Sequence, residues 1–482
     1  MPGLVSQQKK RVSAIEWDTI FEPDGRQKQF SEKNVSRPSN LSNTARNIFD
    51  EALATCNVEA AMRAKVAVHA GGYKLHGSAN EATVDIDLAA VRRVVVIAAG
   101  KAAAAMLESL LKVIELPEGC ELRGVLIAPE RPAHLRDGIT YFAGGHPLPS
   151  PASFEAARAA LALVRKTAAA AEPAFCFFLI SGGASAMMEL PLDPAITLED
   201  TIAFHRALVH SGAPIEEMNC VRKHFSAVKG GRLREAAAAM PCVTLAVSDV
   251  PAERLDVLAS GPTLPDPSTV AECHEIVVRY GLMERFPAQV REFFAGEIEE
   301  TPKSGAFVAQ ALTLISDSDL AEAARRTAEK RGFFAVVEDA CDNWECNRGA
   351  EFLLEKLSNL RAQHGRVCLI VPGEITVHIP ADASVGSGGR NQHFALYAAT
   401  LLENESRATA ILSAGSDGID GNSAFAGAVV DESTLSNPGL CEAALDALRR
   451  FDSATFLYER GARIQTGPTG HNLRDLRLLL AE

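Results

Sequence analysis

The stretch Gly386-Ser387-Gly388-Gly389-Arg390-Asn391-Gln392 puts small residues ahead of an arginine and two amides, at the start of an apolar helical pattern. Further along, Ser413-Ala414-Gly415-Ser416-Asp417-Gly418-Ile419-Asp420-Gly421 is a loop with two carboxylates. Glycines let a backbone approach an anion closely, and a helix N-terminus favours negative charge. An arginine there can fork onto phosphate or carboxylate oxygens, and an aspartate nearby can hold a metal or accept a proton. The combination points to phosphate chemistry on a small anionic substrate.

Other loops carry a matching chemical set. Gly100-Lys101 follows a β-branched run and puts an ammonium near a helix start; the plainer alternative is a solvated lysine beyond a strand. Ser181-Gly182-Gly183-Ala184-Ser185 offers hydroxyls and free amides suited to an anion nest, or else a tight turn with a capping serine. The run from Asn219 to Leu233 is strongly basic within an acidic chain, and Arg222, Lys223, Lys229 and Arg232 could steer an anion. A charge run is more often a solvated helix face. Asp249 ends a strand and could bind a metal or cap a turn, and Glu374 sits between two apolar runs as a cleft carboxylate or a plain hairpin turn. Thr466-Gly467-Pro468-Thr469-Gly470-His471-Asn472 is a further hydroxyl-rich loop, placed before an expected final helix. His146 could contact a substrate, although a lone histidine is more often packed or capping.

The elements that must position these residues alternate strand, glycine loop and helix from about residue 43 onward. Arg93–Ala99, Gly124–Ala128, Phe175–Ile180 and Val243–Val247 are apolar runs separated by helices such as Pro151–Ala171. Such runs mean parallel strands covered on both faces. A second set after residue 300, Ala311–Ile315, Phe334–Val337, Val367–Val371, Thr376–Ile379, Thr409–Leu412 and Gly427–Val430, predicts a mixed sheet. In it Val367–Val371 and Thr376–Ile379 would form a hairpin. The expected division is an extension over 1–42, a domain over 43–270, a charged linker over 271–300 and a second domain over 301–482. The extension lacks periodicity and could dock through Ile15, Trp17 and Phe21.

A chain of 482 residues, 47% hydrophobic, can bury sizeable cores. Its net charge of -13 argues against a nucleic-acid surface. No apolar run reaches the length of a bilayer span, and the N-terminus has no secretory h-region. The ten cysteines are scattered without a CxxC pair, as expected of free thiols in a reducing cytoplasm. Neither G-x-x-x-x-G-K-[ST] nor G-x-G-x-x-G occurs, which excludes a P-loop and weakens a dinucleotide reading. No G-x-S-x-G elbow occurs either.

Taken in order, Gly100-Lys101-Ala102, Gly145-His146-Pro147, Ser181 to Ala186, Val221 to His224, Lys229 to Leu233, Ser248 to Pro251, Ala259 to Thr263, Gly388 to Gln392, Asp417 to Gly421 and Thr466 to Gly470 resemble the class II glycerate kinases, also described as glycerate 2-kinases. The resemblance covers nearly everything from residue 43 to the C-terminus. It implies an α/β fold: a Rossmann-like three-layer N-terminal domain and a smaller α/β C-terminal domain, with the active site in the cleft between them. It implies ATP and Mg2+, with D-glycerate phosphorylated at the 2-hydroxyl, and it makes Lys101, Arg390 and Asp417 the catalytic candidates. Substrate and nucleotide contacts are expected from Ser181, Gly182, Gly183, Ser185, Asn219, Arg222, Lys223, Lys229, Gly388, Gly389, Asn391, Thr466 and Asn472. Metal contacts are expected from Asp249, Glu374 and Asp420. The chain departs from the family pattern at His393, Pro372, Ala252-Glu253, His471 and Asp317-Ser318. No nucleic-acid or membrane partner is expected, and a homodimer stays open. Two alternatives remain: an NAD(P)H-dependent hydroxypyruvate reductase, and a small-anion sensor without catalysis.

Overall fold

The computed structural model describes residues 40–482 apart from 70–71, 79–82, 251–253, 381–382 and 403–406. The expected docking residues Ile15, Trp17 and Phe21 therefore lie outside the described part.

Six parallel strands form the first sheet. Their spatial order is Ile139–Ala143, Glu121–Ala128, Arg93–Ala99, Ala174–Ser181, Cys242–Val247, Ala311–Ile315. The chain thus runs outward in one direction from Arg93–Ala99, returns, and continues outward from Ala174–Ser181. That reversal makes a crevice at the carboxyl ends of these two neighbours, where ligands bind in open α/β sheets. Both faces are apolar because both are covered. Val94, Val96, Phe177 and Leu179 pack with Met106 and Leu110 on one side. Val95, Ile97, Phe178 and Ile180 pack with Ala157, Ala160 and Val164 on the other. The alanine-rich helix Pro151–Ala168 starts at a Ser150 capping box with proline in its first turn.

The second sheet is mixed, in the order Phe334–Val337, Val367–Pro372, Asp475–Ala481, Thr409–Gly415, Gly427–Asp431, Arg463–Ile464. Its first pair is parallel and the other pairs are antiparallel. Leu369, Ile411 and Leu479 pack under Leu353 and Phe394. Cys368, Leu412 and Leu478 face Ile48, Phe49 and Leu320, in a core continuous with that of the first sheet. A third, three-stranded antiparallel sheet comprises Val66–His69, Gly72–Leu75 and Val84–Ile86.

Four expectations need correction. Ala311–Ile315 closes the first sheet instead of opening the second. The 271–300 segment is no linker: Cys273, Ile276, Val277, Val290 and Phe294 recur at helical spacing and pack with Phe204 and Phe225 in a separate helical core. Thr376–Ile379 makes no hairpin with Val367–Pro372, because Asp475–Ala481 already takes that strand's free edge and Thr376 bridges to Glu345. The element after the Thr466–Asn472 loop is that strand, Asp475–Ala481, and not a helix. Its buried leucines, Leu476, Leu478, Leu479 and Leu480, suit a central strand covered on both faces, and the buried Arg477 among them donates to Gly373 O at 2.7 Å.

Candidate active site

At the chain reversal of the first sheet, two loops lock together. Gly100 has φ +119°, and a Cβ there would fall 2.3 Å from Ser181 Oγ. Ser181 Oγ accepts from the Ala102 amide at 3.0 Å, at the start of the helix Ala103–Val113. Ser181 is therefore committed to the helix start. The Lys101 amide donates to Gly182 O at 2.9 Å. Its side chain reaches away from the sheet, where Nζ lies 3.7 Å from Asp417 Oδ2, a residue of the second domain. Lys101 and Asp417, which the sequence places far apart, meet across the crevice.

Arg390 opens the helix Arg390–Leu401. All three of its guanidinium nitrogens are engaged: Nε with Asp475 Oδ2 at 2.6 Å, Nη1 with Glu374 Oε2 at 2.7 Å, and Nη2 with Asp475 Oδ1 at 3.2 Å and Glu374 Oε1 at 2.6 Å. Burial opposes its charge, yet Asp475 and Glu374 raise its pKa further above the ordinary range. The fork is real, and two carboxylates of the protein already hold it.

The helix start itself is also filled. The Asn391 and Gln392 amides donate to Asp420 Oδ1 at 3.1 Å and Oδ2 at 2.8 Å. A Cβ on Gly389 would lie 2.3 Å from Asp420 Oδ1, so that glycine admits the aspartate. Burial pushes the Asp420 carboxyl up to about 7, against the pull of those amides. Asn391 is buried between Ser413 and Asp420. The expectation of an open anion site at this helix start is corrected: a side chain of the protein occupies it.

Asp420 is thereby withdrawn from the expected metal set. Among the described residues no group of three or more histidine, cysteine or acidic side chains is placed to hold a metal. Asp249 and Glu374 remain together on the wall of the first-domain cavity. Asp249 is pushed up to about 6, first by burial and then by the Glu374 charge, with Lys101 and Arg474 pulling the other way.

The basic run divides sharply. Lys229 forms a fully buried pair with Glu189, which also accepts from His205 Nε2 at 2.9 Å and from Ser226 Oγ at 2.6 Å. Lys223 is buried against Asp266 Oδ1 at 3.0 Å and Asp256 Oδ2 at 3.4 Å. Arg232 donates to the Glu299 carbonyl at 2.8 Å. Lys223, Lys229 and Arg232 are therefore structural ties and not free cations for steering. Arg222 and Asn219 line the first-domain cavity with Gly182, Gly183 and Ser185.

Two cavities meet at this crevice. The first-domain cavity is about 1020 Å³ and the second-domain cavity about 560 Å³, and Thr376 lines both. Gly388, Gly389, Arg390, Asn391, Asp417 and Asn472 line the smaller one. Thr466 is not among its lining residues; its hydroxyl donates to Gly467 O at 2.8 Å. Sequence reasoning missed Arg474 and Asp475. Arg474 has φ +64°, unusual for a non-glycine residue. It lines the first cavity and holds Asp317 Oδ2 at 3.0 Å, while its neighbour Asp475 lines the second and holds Arg390. The charged pair just ahead of the leucine-rich segment Leu476–Ala481 was the available signal.

The fold and this crevice define a two-domain α/β protein with facing cations and carboxylates contributed by both sheets. A family model described as a domain of unknown function matches residues 44–295, and the MOFRL family model matches 367–475. The D-glycerate 2-kinase of Thermotoga maritima is 35% identical over 395 residues, covering 80% of this chain and 89% of that protein. A provisionally named hydroxypyruvate reductase of Agrobacterium vitis is 34% identical over 395 residues, covering 80% of this chain and 87% of that protein. The crystal structure of a glycerate kinase from Thermotoga maritima superposes with a TM-score of 0.75 at 30% identity, covering 92% of this chain and 100% of that one. The chain belongs to the glycerate kinase family.

Proposed function

We propose that the protein transfers the γ-phosphoryl group of ATP to the 2-hydroxyl of D-glycerate, giving 2-phosphoglycerate and ADP. The observation that carries this reading is the meeting of Lys101, Asp417 and Arg390 from separate domains at one crevice, in a chain of this family. Phosphoryl transfer asks a protein mainly for positioning and charge stabilisation. Lys101 and Arg390 would face the transferring group, and Asp417, beside Lys101, would accept the hydroxyl proton. For Arg390 to take up a phosphoryl oxygen, the incoming anion must displace Glu374, the more exposed of its two partners.

Asp249 and Glu374 fit a Mg2+ ion, which is commonly held by one or two carboxylates with substrate phosphates completing the shell. The upward push that Glu374 gives Asp249 marks a pair of like charges that a cation would relieve. When bound, the ion would draw negative charge from phosphate oxygens. Ile375, Val377, Ile419 and Phe451 give the smaller cavity an apolar wall suited to a nucleobase.

The reductase reading is favoured by the strand order of the first sheet and by the names of two relatives from Agrobacterium vitis. Against it, the Gly100-Lys101-Ala102 turn lacks the dinucleotide glycines and pairs an ammonium with Asp417. ADP release with D-glycerate, and no NADH or NADPH oxidation with hydroxypyruvate, is the expected result. Cofactor oxidation without ATP turnover would overturn the kinase reading.

A further inference from the structure

Arg222 stands apart within the basic run. Lys223, His224, Lys229 and Arg232 each have a carboxylate partner. Among the described residues Arg222 has none: its hydrogen bond is from Nη1 to Asn219 Oδ1 at 3.3 Å, and its Nε is buried without a partner there. Burial pushes the guanidinium pKa down, with the Glu189 charge acting against that. Glu189 cannot close on it, because the Glu189 oxygens are taken by Ser226, the Leu190 amide, His205 and Lys229. An uncompensated cation set into a cavity wall is costly unless a ligand completes it.

The side chains hydrogen-bonded next to Arg222 are neutral. Ser260 Oγ donates to Asn219 Oδ1 at 3.0 Å, and Ser185 Oγ lies 3.1 Å from Ser260 Oγ. With its oxygen satisfied from two sides, Asn219 keeps its amide N–H groups for another partner. The three consecutive residues Ala259, Ser260 and Gly261 all have positive φ, at 53°, 60° and 61°. Such backbone persists where the surroundings hold it, often at ligand sites. Ser185 lies two residues beyond Gly183, whose added Cβ would fall 3.4 Å from Lys101 Cγ. The Arg222 pocket therefore shares a loop with the phosphoryl-transfer groups.

We propose that Arg222, with Asn219, Ser185 and Ser260, is the subsite for the carboxylate of the acceptor, and makes the protein select 2-hydroxy acids over neutral polyols. Arg254 and Arg474, on the same wall, already have carboxylate partners, and the one guanidinium left, beside neutral hydroxyl and amide groups, matches a singly charged carboxylate better than a polyphosphate. This rests on the kinase reading for the identity of the acceptor, and its test does not need turnover. Thermal melting of the wild-type protein should rise with D-glycerate and not with glycerol or glyceramide, since a ligand that binds the folded state stabilises it. Arg222→Met and Arg222→Lys should both abolish that rise while leaving ATP affinity, measured by calorimetry, unchanged. In turnover, the KM for D-glycerate should increase about a hundredfold or more in Arg222→Met. A D-glycerate shift retained in Arg222→Lys and Arg222→Met would overturn the proposal. So would a loss of ATP affinity in these variants, which would assign the pocket to a nucleotide phosphate. Absence of ATP turnover in a wild-type protein that still shows the carboxylate-dependent shift would sink the kinase reading and leave the subsite standing.

Discussion

The two glycine-rich loops of the crevice resemble one another in sequence and do different work. Around Gly182-Gly183 the loop ends a parallel strand; a Cβ on Gly182 would fall 2.2 Å from Asp249 Oδ2, and that carboxylate lines a cavity with Arg222. Around Gly388-Gly389 the glycines make room for Asp420, which fills the helix start that an anion would otherwise use. The cations differ in the same way. Lys101 has a loose partner at 3.7 Å, whereas Arg390 is clamped by Asp475 and Glu374. A glycine pair ahead of a helix signals close approach, and only the structure says whether the carboxylate that approaches faces a cavity, as Asp249 does, or fills the helix start, as Asp420 does.

The largest effect that sharpens this contrast is on turnover. Lys101→Ala, which removes a charge, and Arg390→Lys, which keeps the charge but loses the planar fork, should each lower kcat by about a hundredfold or more. Their stabilities should diverge. Lys101→Ala should leave Tm nearly unchanged, because a long, half-exposed ion pair contributes little. Arg390→Ala should lower it clearly, since it strands Asp475, whose side chain is 4% exposed. Breaking such a pair costs up to about 3–5 kcal/mol when fully buried, and less here because the guanidinium is partly solvated. Equal Tm losses in the two alanine variants would erase the contrast.

A smaller effect is expected at the nucleobase wall. Phe451→Ala should raise the KM for ATP by about tenfold, the scale of one lost base–aromatic contact, with the KM for D-glycerate unchanged. The reverse pattern would exchange the two cavities' roles.

Smaller still is the helix cap. Asp420→Ala should cost about 1–2 kcal/mol in denaturant unfolding, as for other lost caps. If instead stability were kept and Mg2+ dependence changed, Asp420 would be a metal group after all.

The last effect is on pH. Asp249 and Asp420 have folded pKa values pushed up to about 6 and about 7. The folded state then binds more protons than the unfolded one, so stability falls as pH rises from the ordinary carboxylate range through these values. Unfolding of the ligand-free protein should show that decline, and Asp249→Asn should remove the part below about pH 6. A stability that rose across pH 4 to 7 in wild type and variant alike would contradict the burial assigned to these carboxylates.

Much of this fold was legible because parallel strands covered on both faces leave continuous apolar runs, as Arg93–Ala99 and Cys242–Val247 do. Ala311–Ile315 looks the same, and nothing local says which sheet it joins. Pairing partners depend on distant edges, which is also why Thr376–Ile379 read as a hairpin strand. Lys101, Arg390 and Asp417 were legible as candidates beside glycine, and the structure brings Lys101 within 3.7 Å of Asp417 and lines one cavity with Asp417 and Arg390. Lys223 and Lys229 were misread because Asp266 and Glu189, which neutralise them, lie far away or in unremarkable sequence. Arg474 and Asp475 were missed because they stand at the start of a strand and not beside a glycine. The start of the helix Asn40–Thr55 was read only as the end of an extension. Leu41 is buried there and Ser42 donates to Asp431 at 2.7 Å, so a shortened chain must begin ahead of Asn40.

The central claim is that cations from two domains act on one transferring group. The most direct measurement is a double-mutant cycle on kcat with Lys101→Ala and Arg390→Lys under saturating ATP and D-glycerate, with ADP release as the readout. Residues that act as a unit are non-additive, so the double variant should lose far less than the product of the single losses. A double variant that loses the full product, with each single variant folded, would mean that Lys101 and Arg390 serve separate groups and that the crevice does not work as one site.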